Sequence, residues 1–285
     1  MNNKKPLTLG YSPCPNDTYI FYGLVHEKVP LHQVELAPPV LDDVETLNKW
    51  ALAGKLDVTK LSFHALGHVL DQYSLLSSGS ALGRGCGPML ITGSQSKPAD
   101  IKDWRIAIPG RYTTAAMLLQ LFSPKVTNLE VMRFEEIITA VAGGFVDAGV
   151  IIHESRFTYQ QQGLECVQDL GEWWEDTTGL PIPLGCIAAK RSLAAKVVAE
   201  FDQAIAASLR WSIANPEACS AYIKEHSQEL EDNVVRSHID LYVNEFSLEL
   251  GQEGVAAVEA LLRKGAEAGV FKPPQSMDWR LFRKC

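Results

Sequence analysis

Ala148-Gly149-Val150-Ile151-Ile152 is an apolar run with no polar alternate position, and His153 follows it at once. No other feature constrains the fold as tightly. A strand with one wet face alternates polar and apolar residues. A strand without a polar face has to be covered on both sides, as parallel strands between helices are. The surrounding sequence alternates in the same sense. Strands are predicted over 7–11, 34–38, 56–61, 88–92, 104–108, 131–134 and 146–152. Helices are predicted over 18–26, 42–52, 63–70, 115–122 and 135–142. Beyond residue 192 only helices are expected, over 193–214, 216–226, 232–245 and 253–268. The pattern is that of an α/β protein.

Two segments echo each other. Gly54-Lys55-Leu56-Asp57-Val58 and Gly144-Phe145-Val146-Asp147-Ala148 lie 90 positions apart. Each reads as the end of a helix, a glycine, an apolar residue, an aspartate and a strand. With 285 residues, the chain is long enough for two lobes, and the echo suggests two of similar build. The polar stretch 94–102, which carries Pro98, and the Gly/Pro-rich stretch 179–185 suit two crossings between them. That gives one lobe from residues 1–93 and 187–285, with the C-terminal helices, and another from 94–186. If the lobes face each other, the strand ends at Thr59-Lys60-Leu61-Ser62 and at His153 meet in one cleft. Ligands of open α/β sheets bind at the carboxyl ends of strands.

The net charge of −8 comes without a basic stripe, so nucleic acid is not an expected partner. A small anionic ligand would have to be held by local positive groups against the overall field. Six cysteines without C-x-x-C spacing point to thiols and away from a disulfide framework or a zinc site. No stretch reads as a signal peptide or a membrane span, so a cytoplasmic protein is expected and a membrane partner is not.

Several residues are candidates for chemistry, each beside a plainer role. A histidine at a strand end can move a proton, or it can merely bond a loop carbonyl. Asn16 and Asp17 follow the first strand and either cap a helix or touch a ligand. Cys14 has no histidine near it in sequence, which argues against a nucleophile. Lys60 and Ser62 end an otherwise apolar strand, where an anion would be attracted. Arg84 sits in a glycine-rich bend and can face the cleft. Thr113 and Thr114 precede a helix and either cap it or bind a polar group. His64 and His68 have i, i+4 spacing, but without a third ligand they read as ordinary helix residues. Trp173 and Trp174 either stack on an aromatic ligand or cover the lobe surface.

Six segments together resemble the 1,4-dihydroxy-6-naphthoate synthase family, which belongs to the futalosine route to menaquinone. They are Gly10–Thr18, Leu41–Asn48, Thr59–Ser62, Ala81–Gly85, Pro109–Thr114 and Ile151–Tyr159. The resemblance runs in order from about residue 9 to 246. It implies a periplasmic-binding-protein type II-like fold, two α/β lobes around a central cleft. It implies a lyase that converts cyclic dehypoxanthinyl futalosine to 1,4-dihydroxy-6-naphthoate and dihydroxyacetone. It places the general base on His153 and substrate contacts on Thr59-Lys60-Leu61 and Thr113-Thr114. Asn16, Asp17, Ser62, Arg84 and Arg156 are added as substrate-binding candidates from the residues themselves. Lys60 or Arg156 is expected to pair with the substrate carboxylate. The reaction calls for no cofactor and no metal. The rival expectation is a solute-binding protein of the same fold without chemistry.

Overall fold

The computed structural model describes residues 6–95, 97–153, 155–227, 231–272 and 281–282. Its strands, in chain order, are β1 (Leu9–Tyr11), β2 (Val40–Leu41), β3 (Val58–Ser62), β4 (Tyr73–Leu75), β5 (Ala81–Gly83), β6 (Met89–Thr92), β7 (Ile106–Ile108), β8 (Leu129–Val131), β9 (Ala148–Ile151), β10 (Glu165–Asp169) and β11 (Ile182–Lys190). They form two sheets. The first has the order β2-β1-β3-β11-β4, with β5 also on β11. The second has the order β8-β7-β9-β6-β10.

The two sheets share a plan. In each, one strand pairs in parallel with the two that follow it, β1 with β2 and β3, β7 with β8 and β9, and an antiparallel strand lies beyond them: β11 against β3, β6 against β9. The echoed aspartates hold equivalent places. Asp57 accepts hydrogen bonds from the Thr8 backbone N–H (3.0 Å) and hydroxyl (2.8 Å), just ahead of β1. Asp147 accepts one from the Arg105 N–H (2.7 Å), just ahead of β7. Each carboxylate ties the start of one parallel strand to the start of its neighbour. The sequence echo is therefore a repeated structural device.

The first crossing between sheets falls earlier than the polarity of the chain suggests. Met89–Thr92 belongs to the second sheet, and β11 belongs to the first from Ile182 onward. The chain thus leaves the first sheet after Gly83, ahead of the polar stretch 94–102, and returns by residue 182, within the Gly/Pro-rich stretch 179–185. The polar stretch after β6 is a surface loop. The crossing itself uses the glycine-rich bend. A Cβ on Gly87 would lie 2.2 Å from the Gly171 Cα, so only glycine permits that approach.

A second strand over 34–38 does not form. Leu36 makes a lone bridge to Leu7, and β2 starts only at Val40. Pro38 and Pro39 lack the N–H groups that a ladder requires. The helix Leu170–Thr178, capped by Asp169, carries Trp174 fully buried in the core and Trp173 edge-on to Phe122 (5.6 Å). The tryptophan pair therefore serves packing. After β11 the described chain is helical. Helix Ala195–Ala214 packs Phe201, Ile205 and Leu209 against Phe21 and Leu24 of helix Pro15–Val25. That first helix is wedged between its sheet and the C-terminal helices, which is why it is apolar nearly all round.

Among the described residues no helix is long and apolar enough to cross a membrane. The described cysteines form no disulfide.

Candidate functional site

The carboxyl ends of β1, β3, β7 and β9 converge on a cleft. Its walls come from both sheets and from one C-terminal helix. Ser12, Asn16 and Asp17 follow β1; Lys60 and Ser62 end β3; Thr113 and Thr114 follow β7; Ile152 and His153 follow β9; His238 and Tyr242 descend from helix Asp232–Tyr242.

His153 has a left-handed backbone, φ +58°. Non-glycine residues adopt that region at a cost, and such strain concentrates at functional sites. Its ring is boxed. The Cys14 Sγ lies 3.6 Å from Nδ1 and 3.9 Å from Nε2. Phe134 meets the ring edge-on at 5.0 Å, and His238 lies parallel to it at 6.1 Å. His153 also borders a second hollow, lined as well by Asp42, Asp43 and Arg133.

The neighbourhood of His238 reveals its tautomer. Asp17 is a carboxylate and only accepts, so the Asn16 Nδ2 donates to it (3.0 Å) and the Asn16 Oδ1 faces away. That oxygen is 2.9 Å from the His238 Nε2, which therefore carries the proton. Burial holds the His238 imidazole well below the usual range, and His153 and Lys60 push the same way. His238 is thus neutral in the wall of the cleft, its one N–H given to Asn16 and its Nδ1 unprotonated.

Lys60 and Asp17 form a buried ion pair. The remaining Asp17 oxygen accepts from the Ser12 hydroxyl at 2.6 Å. Asp17 also lies in the first turn of helix Pro15–Val25, where the helix dipole favours an anion. Lys60 has three N–H donors, and Asp17 occupies one. The others are available to an anionic group in the cleft.

Thr113 caps helix Thr114–Phe122 through the Ala116 N–H (3.2 Å), and the Thr114 hydroxyl donates to the Leu184 carbonyl (2.6 Å). Both line the cleft, so capping and lining are combined in the same residues. His64 donates to the Thr113 carbonyl (3.1 Å) from Nδ1, and its Nε2 faces the His68 Nε2 at 3.3 Å. Burial first, then the nearby His68, pushes the His64 imidazole down to about 4. The i, i+4 pair is a neutral brace, and among the described residues no cluster of metal-ligating side chains occurs.

Not every sequence candidate reaches the cleft. Thr59 is buried with its hydroxyl on the Lys60 carbonyl, and Leu61 packs into the core. They alternate with Lys60 and Ser62, which take the cleft face of the strand. Arg84 is half exposed and pairs with Glu253 (2.9 Å) and Glu175 (3.6 Å). Arg156 donates to the Gly87 carbonyl (2.7 Å) and pairs with Asp169 (3.1 Å). It pins the crossing between sheets, and Lys60 is left as the cation at the cleft.

Sequence reading missed His238, Glu45 and the contact of Cys14 with His153. No local signal marks His238, which sits 85 positions from His153 on an otherwise ordinary amphipathic helix. Cys14 lacks a histidine near it in sequence, yet the fold supplies one.

The menaquinone-biosynthesis family model matches residues 7–267. A 1,4-dihydroxy-6-naphthoate synthase from Thermus thermophilus is 48% identical over 267 residues, covering 94% of this chain and 96% of its own. One from Streptomyces coelicolor is 45% identical over 273 residues, covering 93% and 94%. A crystal structure of an Archaeoglobus fulgidus protein superposes with a TM-score of 0.86 at 35% identity, covering 94% of this chain and 98% of that one. The periplasmic aliphatic sulphonate binding protein of Escherichia coli superposes with a TM-score of 0.66 at 13% identity, covering 99% and 94%; this likeness concerns the fold alone, which is of the periplasmic-binding-protein type. A convergent cleft and near-full-length similarity to two synthases lead to one conclusion: the chain belongs to the menaquinone-biosynthesis family and is an enzyme of the 1,4-dihydroxy-6-naphthoate synthase family.

Proposed function

We propose that this enzyme fragments cyclic dehypoxanthinyl futalosine into 1,4-dihydroxy-6-naphthoate and dihydroxyacetone, with His153 as the general base. The single observation that carries the reading is His153 itself. It sits on a left-handed backbone just past β9 and borders a cleft whose other walls carry polar side chains and one lysine.

Removing one proton from the substrate starts a fragmentation that ends in an aromatic naphthalene. Aromatisation supplies most of the driving force. The protein contributes a base, donors for developing negative charge on oxygen, and a cleft that excludes water. Cys14, Phe134 and His238 hold the His153 ring in place, so the base is oriented before the substrate arrives. Neutral His238, Ser62, Thr113 and Thr114 supply polar groups without bringing a net charge near the base. Lys60, paired with Asp17 through one of its three N–H donors, offers the others to the substrate carboxylate and anchors that end of the molecule.

The test is turnover. Purified protein incubated with cyclic dehypoxanthinyl futalosine should release the naphthoate, detected by its absorbance and mass. Binding without product would favour a solute-binding role and overturn the proposal.

A further inference from the structure

Glu45 is a buried carboxylate with no buried cation beside it. Its side chain is 6% exposed, and the nearest ammonium, that of Lys49, lies 3.9 Å away on an exposed side chain. An unpaired buried carboxylate is costly unless it is fully hydrogen-bonded. Glu45 stands in the first turn of helix Val44–Leu52, which belongs to the first sheet's lobe. It nevertheless reaches the other lobe. One oxygen accepts from the Arg111 N–H (3.0 Å) and the other from the Tyr112 N–H (3.1 Å). These two N–H groups lie in the turn that presents Thr113 and Thr114.

The backbone of that turn is shaped around the carboxylate. Gly110 has φ +156°, and a Cβ there would come 2.4 Å from a Glu45 oxygen. Three residues on, and on the same face of the helix, Asn48 is fully buried. It accepts from the Ser62 N–H (2.9 Å) and donates to the Ser62 hydroxyl (3.1 Å). Its amide also approaches the Glu45 carboxylate at 3.5 Å. One helix face thus touches both walls of the cleft, at the end of β3 and at the turn after β7.

We propose that Glu45 is a positioning residue, which through the Arg111 and Tyr112 N–H groups sets Thr113 and Thr114 against Ser62 at the spacing the substrate needs. The inference rests on the reading of Thr113, Thr114 and Ser62 as substrate contacts. A mere structural brace would act on stability alone. A positioning residue acts on substrate affinity beyond any loss of stability.

The experiment compares full-length Glu45→Ala, Glu45→Gln, Thr113→Ala/Thr114→Ala and Asp57→Asn for turnover of cyclic dehypoxanthinyl futalosine and for thermal unfolding. Asp57→Asn is the stability control, since Asp57 lies at the far end of β3 from the cleft. Misplacing binding groups by about 1 Å costs up to about 10²-fold. Glu45→Ala is therefore expected to lower kcat/KM by between about tenfold and about 10²-fold, mostly through KM. Glu45→Gln, which keeps one accepting oxygen, should fall between it and the unaltered enzyme. The control should unfold earlier with kcat/KM unchanged. Glu45 variants whose kcat/KM follows unfolding temperature as the control's does, or does not change, overturn the inference. If instead the double threonine variant keeps its KM, the reading of the site fails first and the positioning role falls with it.

Discussion

The two sheets are built alike and end differently. In both, two parallel strands are tied at their start by an aspartate, Asp57 or Asp147, and a helix N-terminus follows β1 and β7, with Cys14 at the N-cap position of one and Thr113 capping the other. Yet β3 passes straight into helix Phe63–Val69 with Lys60 and Ser62 on its cleft face. Its counterpart β9 carries no polar side chain at all, and the chain leaves it through the left-handed His153. A regular strand end delivers a charge that is already balanced by Asp17. A strained strand end delivers a titratable ring into a box of thiol, phenyl and imidazole. On the proposed reading, one scaffold used twice divides the work: one half meets the substrate's charge and the other supplies the base.

This division is most exposed to a change at His153. His153→Ala is expected to cost roughly 10²–10⁴-fold in kcat, the range for a lost general base, with little change in KM. Steady-state kinetics would check it, and near-normal turnover would remove His153 from the base role. At the opposing strand end the consequence falls on folding. Lys60→Met leaves Asp17 buried without its cation, and the cost should be about 3–5 kcal/mol of unfolding free energy. Urea denaturation measures it. A loss under about 1 kcal/mol would mean that the pair is hydrated and that the halves differ less than argued.

The brace behind the cleft sharpens the comparison through pH. His64 is neutral in the folded protein because its pKa is pushed from 6.5 to about 4. The unfolded chain binds the proton first as pH falls. Stability is therefore complete above about pH 6.5 and is lost progressively from there down to about 4. The loss is on the order of 3 kcal/mol, at roughly 1.4 kcal/mol per pH unit. Buried His238 and half-buried His68 shift in the same direction. Unfolding free energy followed between pH 7 and pH 4 should show this slope, and His64→Gln should flatten it. An unchanged slope in the variant would assign the acid sensitivity elsewhere.

The smallest expected effect tests the shared plan itself. Asp57→Ala and Asp147→Ala each remove an equivalent tie. Each should cost about 0.5–2 kcal/mol, as lost caps do. Asp57, with an extra bond to the Thr8 hydroxyl and an ion pair to Lys190 at 3.4 Å, should cost the more. Chemical denaturation decides, and a reversed order would show that the two halves are not equivalent at this end.

Much of the fold was open to direct reading, because alternating apolar runs and cap residues are local signals. The expected helices 42–52, 115–122 and 135–142 form as Val44–Leu52, Thr114–Phe122 and Phe134–Ala142. The short run of Gly-x-x-Asp echoes repeated structure because each aspartate reaches the start of the neighbouring parallel strand, at Thr8 or Arg105. The first crossing between sheets comes ahead of the polar stretch, since polarity marks where a chain meets water and not where it changes sheets. Lys60, Ser62, Thr113, Thr114, Asn16, Asp17 and His153 all line the cleft, as strand-end positions should.

The sequence by itself determined the class of fold, the repeated half and the strand ends that carry polar side chains, because periodicity and capping act over a few residues. Only the tertiary structure decided which of those groups meet. It set Cys14 against His153, brought His238 down from a distant helix, assigned Lys60 to Asp17, and turned Arg156 to Asp169 and the Gly87 carbonyl. Those pairings depend on how two sheets and a C-terminal helix pack, and packing joins residues whose separation along the chain carries no local signal.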